Sequence, residues 1–95
     1  DKRVDVEKTN DHGASPFYIA CQEGHAEIVK MMMNDNRIDV NREIDEGCTP
    51  FYVACSHGRL EVVKLMMEDT RVEVNKTENE GASPFYIACQ EGHAE

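Results

Sequence analysis

Apolar positions along this chain fall into short clusters whose spacing shifts between two helical patterns and a brief alternation. In the first cluster Phe17, Ala20 and Cys21 stand at i, i+3 and i+4, the spacing of one helix face. Ser15 and Pro16 precede it, a hydroxyl N-cap followed by proline at the first helical position. Gly24 then offers a residue that tolerates a left-handed helix end, so a helix of about two turns is predicted. From Ala26, the segment Glu27-Ile28-Val29-Lys30-Met31-Met32-Met33 has no breaker and carries apolar side chains over most of its surface. A second helix packed on both sides is expected there, with its methionines as core filler. Arg37 to Asn41 alternates polar and apolar residues before a charged stretch up to Gly47, which predicts a short extended hairpin or turn.

The same pattern returns at Gly47 and Gly81, a period of 34 residues. The stretch GASPFYIACQEGHAE at 13–27 recurs unchanged at 81–95, and GCTPFYVACSHGRLE at 47–61 keeps the Gly, Pro, Phe, Tyr, Ala and Cys in register. IVKMMMNDNRIDVN from Ile28 matches VVKLMMEDTRVEVN from Val62, and DKRVDVE at 1–7 matches the end of a copy. The chain therefore divides into the tail of a preceding repeat at 1–12, repeats at 13–46 and 47–80, and a truncated repeat at 81–95. A fixed period of this size marks stacked supersecondary units, none of which buries its apolar face alone. The layers between units are expected to hold Phe17, Phe51 and Phe85 together with Ile28, Val29, Met32, Val62, Val63 and Met66.

The composite motif G-x-[ST]-P-F-Y-x-A-C-x-x-G-[HR]-x-E-[IV]-V-K resembles the G-x-T-P-L-H-x-A-A-x-x-G-H-x-E-V-V-K of the ankyrin-repeat family, and Val40-Asn41 and Val74-Asn75 resemble its closing D-V-N. The resemblance covers all 95 residues. It implies an all-α solenoid of stacked helix-turn-helix units with short β-hairpin or turn connections, serving as a non-catalytic protein-protein interaction scaffold. Three features depart from the family pattern. Phe-Tyr stands at 17–18, 51–52 and 85–86 where Leu-His is usual, and the aromatics are expected to stack from copy to copy. The period is 34 and not 33, with Asn34-Asp35-Asn36-Arg37 and Glu68-Asp69-Thr70-Arg71 in place of a glycine loop. The third copy stops at Glu95 without a polar capping repeat, so the chain is expected to be a fragment of a longer array. An engineered or consensus-derived scaffold is the alternative that the repeated stretch suits. The four cysteines and the Met31-Met32-Met33 run weigh against it. A regulatory segment of an enzyme or membrane channel is a further alternative.

Charge narrows the partners. With 19 acidic against 10 basic residues the formal net charge is -9, the wrong sign for nucleic-acid phosphates or for an anionic membrane surface. The longest strictly apolar run, Phe17 to Cys21, is far short of the roughly 20 residues that span a bilayer. Cys21, Cys55 and Cys89 recur with the period and are expected as small free core residues, neither paired nor metal-bound. The four histidines lack zinc-ligand spacing. Free thiols point to a reducing, intracellular and cytoplasmic setting, and the lone Asn75-Lys76-Thr77 triplet is read as chance.

No nucleophile, base and oxyanion donors converge in the pattern, so no catalytic, cofactor-binding or metal-binding residue is expected. Arg3, Arg37 and Arg71 stand two residues before Asp5, Asp39 and Glu73, suggesting an ion-pair ladder along the loops. The positions that the repeat leaves free carry the candidate partner surface. In the family, partners are gripped by hairpin tips and the exposed side of helix one. Carried onto this chain, those slots are Asp11, His12, Gln22 and Glu23; Glu43, Asp45, Glu46, Ser56 and His57; and Asn79, Glu80, Gln90 and Glu91, with Ala14, Cys48 and Ala82 beside them. None is Lys or Arg, so a basic segment of another protein is the expected ligand. Head-to-tail self-stacking through the open ends is expected as well.

Overall fold

In the computed structural model, residues 13–44, 47–77, 79 and 81–90 are described. They form five short helices: α1 Pro16–Glu23, α2 Ala26–Met33, α3 Pro50–Ser56, α4 Leu60–Met67 and α5 Pro84–Gln90. The starts of α1, α3 and α5 are fixed alike. The hydroxyls of Ser15, Thr49 and Ser83 accept hydrogen bonds from the backbone N–H groups of Tyr18, Tyr52 and Tyr86 at 3.2, 3.0 and 3.1 Å. Each cap satisfies a donor that the first turn leaves without a helical partner. α1 ends on Gly24, whose φ of 76° is left-handed, a conformation in which a Cβ is strained.

The helices lie in two layers. α1, α3 and α5 stack in sequence, α2 covers α1, α4 covers α3, and α2 packs on α4. Phe17, Cys21, Val29, Phe51, Ala54, Val62 and Met66 fill the space between layers and are essentially solvent-free. The Cys21 thiol lies 3.9 Å from the Met66 sulfur of the next copy. Phe51 and Phe85 meet edge to face with ring centroids 5.8 Å apart, so the aromatic that replaces leucine carries the copy-to-copy contact.

Four expected core positions are open: Phe85, Ile28, Met31 at 72% exposure, and Cys89 at the end of α5. Phe85 is 40% exposed, whereas Phe17 and Phe51 are buried. Ile28 is 49% exposed, whereas its counterpart Val62 is at 0%. Val62 lies on α4, which packs on α2 of the copy before it; the residues that precede the first copy, 1–12, lie outside the described residues.

The connections between copies are turns, and no strand occurs among the described residues. Arg3 and Asp5 lie outside the described residues, and the other arginines of the expected ladder turn back on the loop's own acids. The Arg37 guanidinium grips Asp35 at 2.7 and 3.0 Å, and Arg71 grips Asp69 at 2.6 and 3.0 Å. The loop backbone bends so that Arg37 N–H and Arg71 N–H also donate to those carboxylates at 2.9 Å, which places Asp35 and Asp69 within reach of a fork that Asp39 and Glu73 were expected to fill. Copies are joined by backbone bonds from polar side chains. The Arg71 Nη2 donates to the Met33 carbonyl at 2.8 Å. Asn41 donates from Nδ2 to the Arg71 carbonyl at 2.8 Å and accepts the Glu73 N–H on Oδ1 at 2.9 Å.

Candidate protein-interaction surface

Because α1, α3 and α5 stack in one layer, equivalent positions at their C-terminal ends follow one another from copy to copy; the turns that join the copies lead into the opposite, N-terminal ends at Thr49 and Ser83. The capped Ser/Thr-Pro starts set all three helices in the same register, which brings equivalent slots of successive copies together.

Of the expected partner-binding residues, Gln22 is half-buried and Glu23 exposed at the end of α1. Ser56 is half-buried at the end of α3, and exposed His57 caps that helix, its Nδ1 3.2 Å from the Val53 carbonyl. Gln90 is exposed at the end of α5. Glu43 and Asn79 are exposed on successive turns. Asn79 sits against Gly47, where a Cβ would lie 2.3 Å from its Oδ1 and where φ is 84°; a side chain at Gly47 would expel Asn79. Asp11, His12, Asp45, Glu46, Glu80 and Glu91 lie outside the described residues. Ala14 is buried at 5% and belongs to the core, because its methyl group points inward beside the Ser15 cap.

Two basic residues that copy-to-copy reading passed over shape this surface. Lys76 pairs through Nζ with the Glu43 carboxylate of the preceding copy; the hydrogen bond to Glu43 raises the Lys76 pKa. The strip of expected acids therefore carries an internal cation beside Glu43. The signal was legible in register, since Arg42 and Lys76 occupy the same position of successive copies. Arg59 replaces the histidine of the other two copies and donates from Nε to the Gln22 carbonyl at 2.8 Å, a cation on the C-terminal end of α1.

The remaining chemistry is quiet. None of the four cysteines is in a disulfide. Desolvation by burial pushes the Cys21 thiol far above its ordinary range and Cys55 up to about 11, the opposite of what a thiolate nucleophile requires. No group of three or more His, Cys, Asp or Glu side chains able to hold a metal ion occurs among the described residues. No helix among them is long and apolar enough to cross a membrane. One open concavity of about 360 Å³ lies between Lys30, Met33 and Asn34 and Leu65, Glu68, Asp69 and Thr70.

A layered array of paired helices stacked copy on copy belongs to the class of repeat scaffolds. A family model of ankyrin repeats (3 copies) matches residues 2–77 and 36–95, and the chain belongs to the ankyrin-repeat family. Repeats of this family mediate protein-protein interaction and are typically non-catalytic. No curated protein matches the chain.

Proposed function

We propose that this chain is a non-catalytic interaction module that captures a basic segment of another protein along the surface formed by the first helices α1, α3 and α5 and the turns that join the copies. The observation that carries the reading is the alignment of Glu23, Ser56, His57 and Gln90 in one stacked layer, in a chain of net charge -9. Carboxylates along one strip sum to a field that accelerates encounter with cations and adds less to final affinity. The Lys76–Glu43 pair gives that field a gate. A cationic ligand gains Glu43 by displacing Lys76, and exposed pairs of this kind exchange readily. The free thiols suit a reducing intracellular compartment.

The test is association kinetics with a lysine- and arginine-rich peptide. Glu43→Lys, Asp45→Lys and Glu46→Lys together are expected to slow association steeply, and Lys76→Gln to quicken it. Lys30→Glu with Lys64→Glu on the second helices is expected to leave it unchanged. Loss of binding only in the second-helix variant overturns the reading.

Head-to-tail stacking of two copies is a second reading, favoured by the exposure of Ile28 and Met31 at one end and Phe85 at the other.

A further inference from the structure

The serine and threonine hydroxyls of the described residues divide by what they already do. Ser15, Thr49 and Ser83 use theirs as helix caps, Ser56 is half-buried in α3, and Thr70 and Thr77 are exposed in the connection from α4 to α5. The two exposed threonines differ in what flanks them. Arg71 follows Thr70 directly, its guanidinium taken up by Asp69 and the Met33 carbonyl. Thr77 is followed by Glu78 and, two residues further on, by Glu80. The backbone ahead of Thr77 is anchored to the preceding copy. Asn41 holds the Glu73 N–H at 2.9 Å, the Lys76 N–H closes a turn on the Glu73 carbonyl at 3.4 Å, and Lys76 Nζ pairs with Glu43. In register with the copy before, Lys76 stands where Arg42 stands and Thr77 where Glu43 stands. A slot that is a carboxylate in one copy is thus an exposed, neutral hydroxyl in the next.

We propose that Thr77 is a phosphorylation site for an acidic-directed protein kinase, and that its phosphate completes the acidic partner surface. The second half of the inference rests on the reading above, that this surface takes a basic segment. Kinases select substrates by charge pattern, and Glu78 and Glu80 supply the carboxylates that a basic substrate cleft reads after the acceptor. Transfer breaks the bond between the γ-phosphorus of ATP and its bridging oxygen and forms one from Thr77 Oγ1 to that phosphorus. ADP leaves, and the hydroxyl proton passes to the kinase's base. The product carries a charge of about −1.5 to −2 near pH 7 and three oxygens suited to lysine and arginine. Lys76 then stands between two acceptors, Glu43 and the phosphate. Whichever of them it holds, an unmatched anion is left for a cationic ligand, which no longer has to displace Lys76 to gain one.

The experiment treats the whole chain with ATP and an acidic-directed serine/threonine kinase and locates phosphate by peptide mass spectrometry. Association of both forms with a lysine- and arginine-rich peptide is then measured. Phosphate is expected at Thr77; Thr77→Val abolishes it, Glu78→Gln with Glu80→Gln lowers it severely, and Thr70→Val leaves it in place. The phosphorylated chain is expected to associate several-fold faster at low salt, with the gain shrinking as salt is raised. Helicity by circular dichroism is expected to stay the same, because Thr77 lies outside the helices. Absence of phosphate from Thr77, or equal incorporation when Glu78 and Glu80 are neutralised, overturns the site. Phosphate at Thr77 with no faster association, while the unmodified chain binds the peptide in a salt-dependent way, overturns its role and leaves the acidic surface standing. Failure of both forms to bind the peptide overturns the acidic surface itself and the role of the phosphate with it.

Discussion

Arg59 reaches back across a repeat boundary to cap Gln22, its Nε 2.8 Å from the Gln22 carbonyl and its Cδ 2.9 Å from where a Cβ on Gly24 would stand. One arginine thus satisfies an orphan carbonyl at the end of α1 and closes over the one residue whose φ of 76° requires glycine. Gly24→Ala is expected to cost about 1–2 kcal/mol from the left-handed backbone, and Arg59→Ala about 1 kcal/mol from the lost bond. Because the two side chains share space, the double variant is expected to lose less than the sum. Urea unfolding of the four proteins checks the cycle.

Asn41 works as a staple between turns. Its carboxamide both donates to the Arg71 carbonyl and accepts the Glu73 N–H, so Asn41→Asp keeps the acceptor and loses the donor. Asn41→Ala is expected to destabilise by about 1 kcal/mol and to speed hydrogen exchange at the Glu73 amide. Asn41→Asp is expected to leave that amide protected.

Equivalent phenylalanines should not be equal in energy. Phe51 is buried at 1% and Phe85 exposed at 40%. Phe51→Ala is expected to cost about 3–5 kcal/mol, and Phe85→Ala about half that or less, in proportion to the area it buries. Thermal denaturation followed by circular dichroism separates them.

These contrasts show which features were legible in the residues. The caps at Ser15, Thr49 and Ser83, the two helices per copy and the buried Phe17 and Phe51 follow from local chemistry that recurs in register. Ile28 does not, because its burial depends on which copy stands beside it, and the local pattern around Ile28 is the same as that around Val62. The pairing of Arg37 with Asp35 was hidden for a different reason. Alternation along 37–41 suggests extended backbone, in which Asp39 shares a face with Arg37, whereas the turn that forms folds Arg37 back on Asp35. Lys76 was overlooked because it falls outside the slots carried over from the family, and its partner Glu43 lies in the copy before.

The turn chemistry has its own pH signature. Hydrogen bonds from the Arg37 side chain, then from its backbone N–H, hold the Asp35 carboxyl at about 2, below the ordinary 3.8. A depressed carboxylate stabilises the fold above its unfolded value, so the contribution is complete above pH 3.8 and is lost as pH falls through about 2. Carboxyl NMR titration is expected to find the Asp35 midpoint near 2, and a midpoint raised toward the ordinary 3.8 but still below it in Arg37→Gln, which keeps the backbone N–H bond. Asp69 is lowered in the same direction by Arg71.

The central claim is that the acidic surface, and not the helix-two surface, receives a cationic partner. Its most direct test is backbone NMR of the chain titrated with a lysine- and arginine-rich peptide at low and at physiological salt, where the Debye length is about 8 Å. The expected shifts concentrate at Glu23, Glu43, Ser56, His57, Lys76 and Gln90, and shrink as salt is raised. Shifts confined to α2 and α4, or shifts at the acidic surface that ignore salt, would contradict the account.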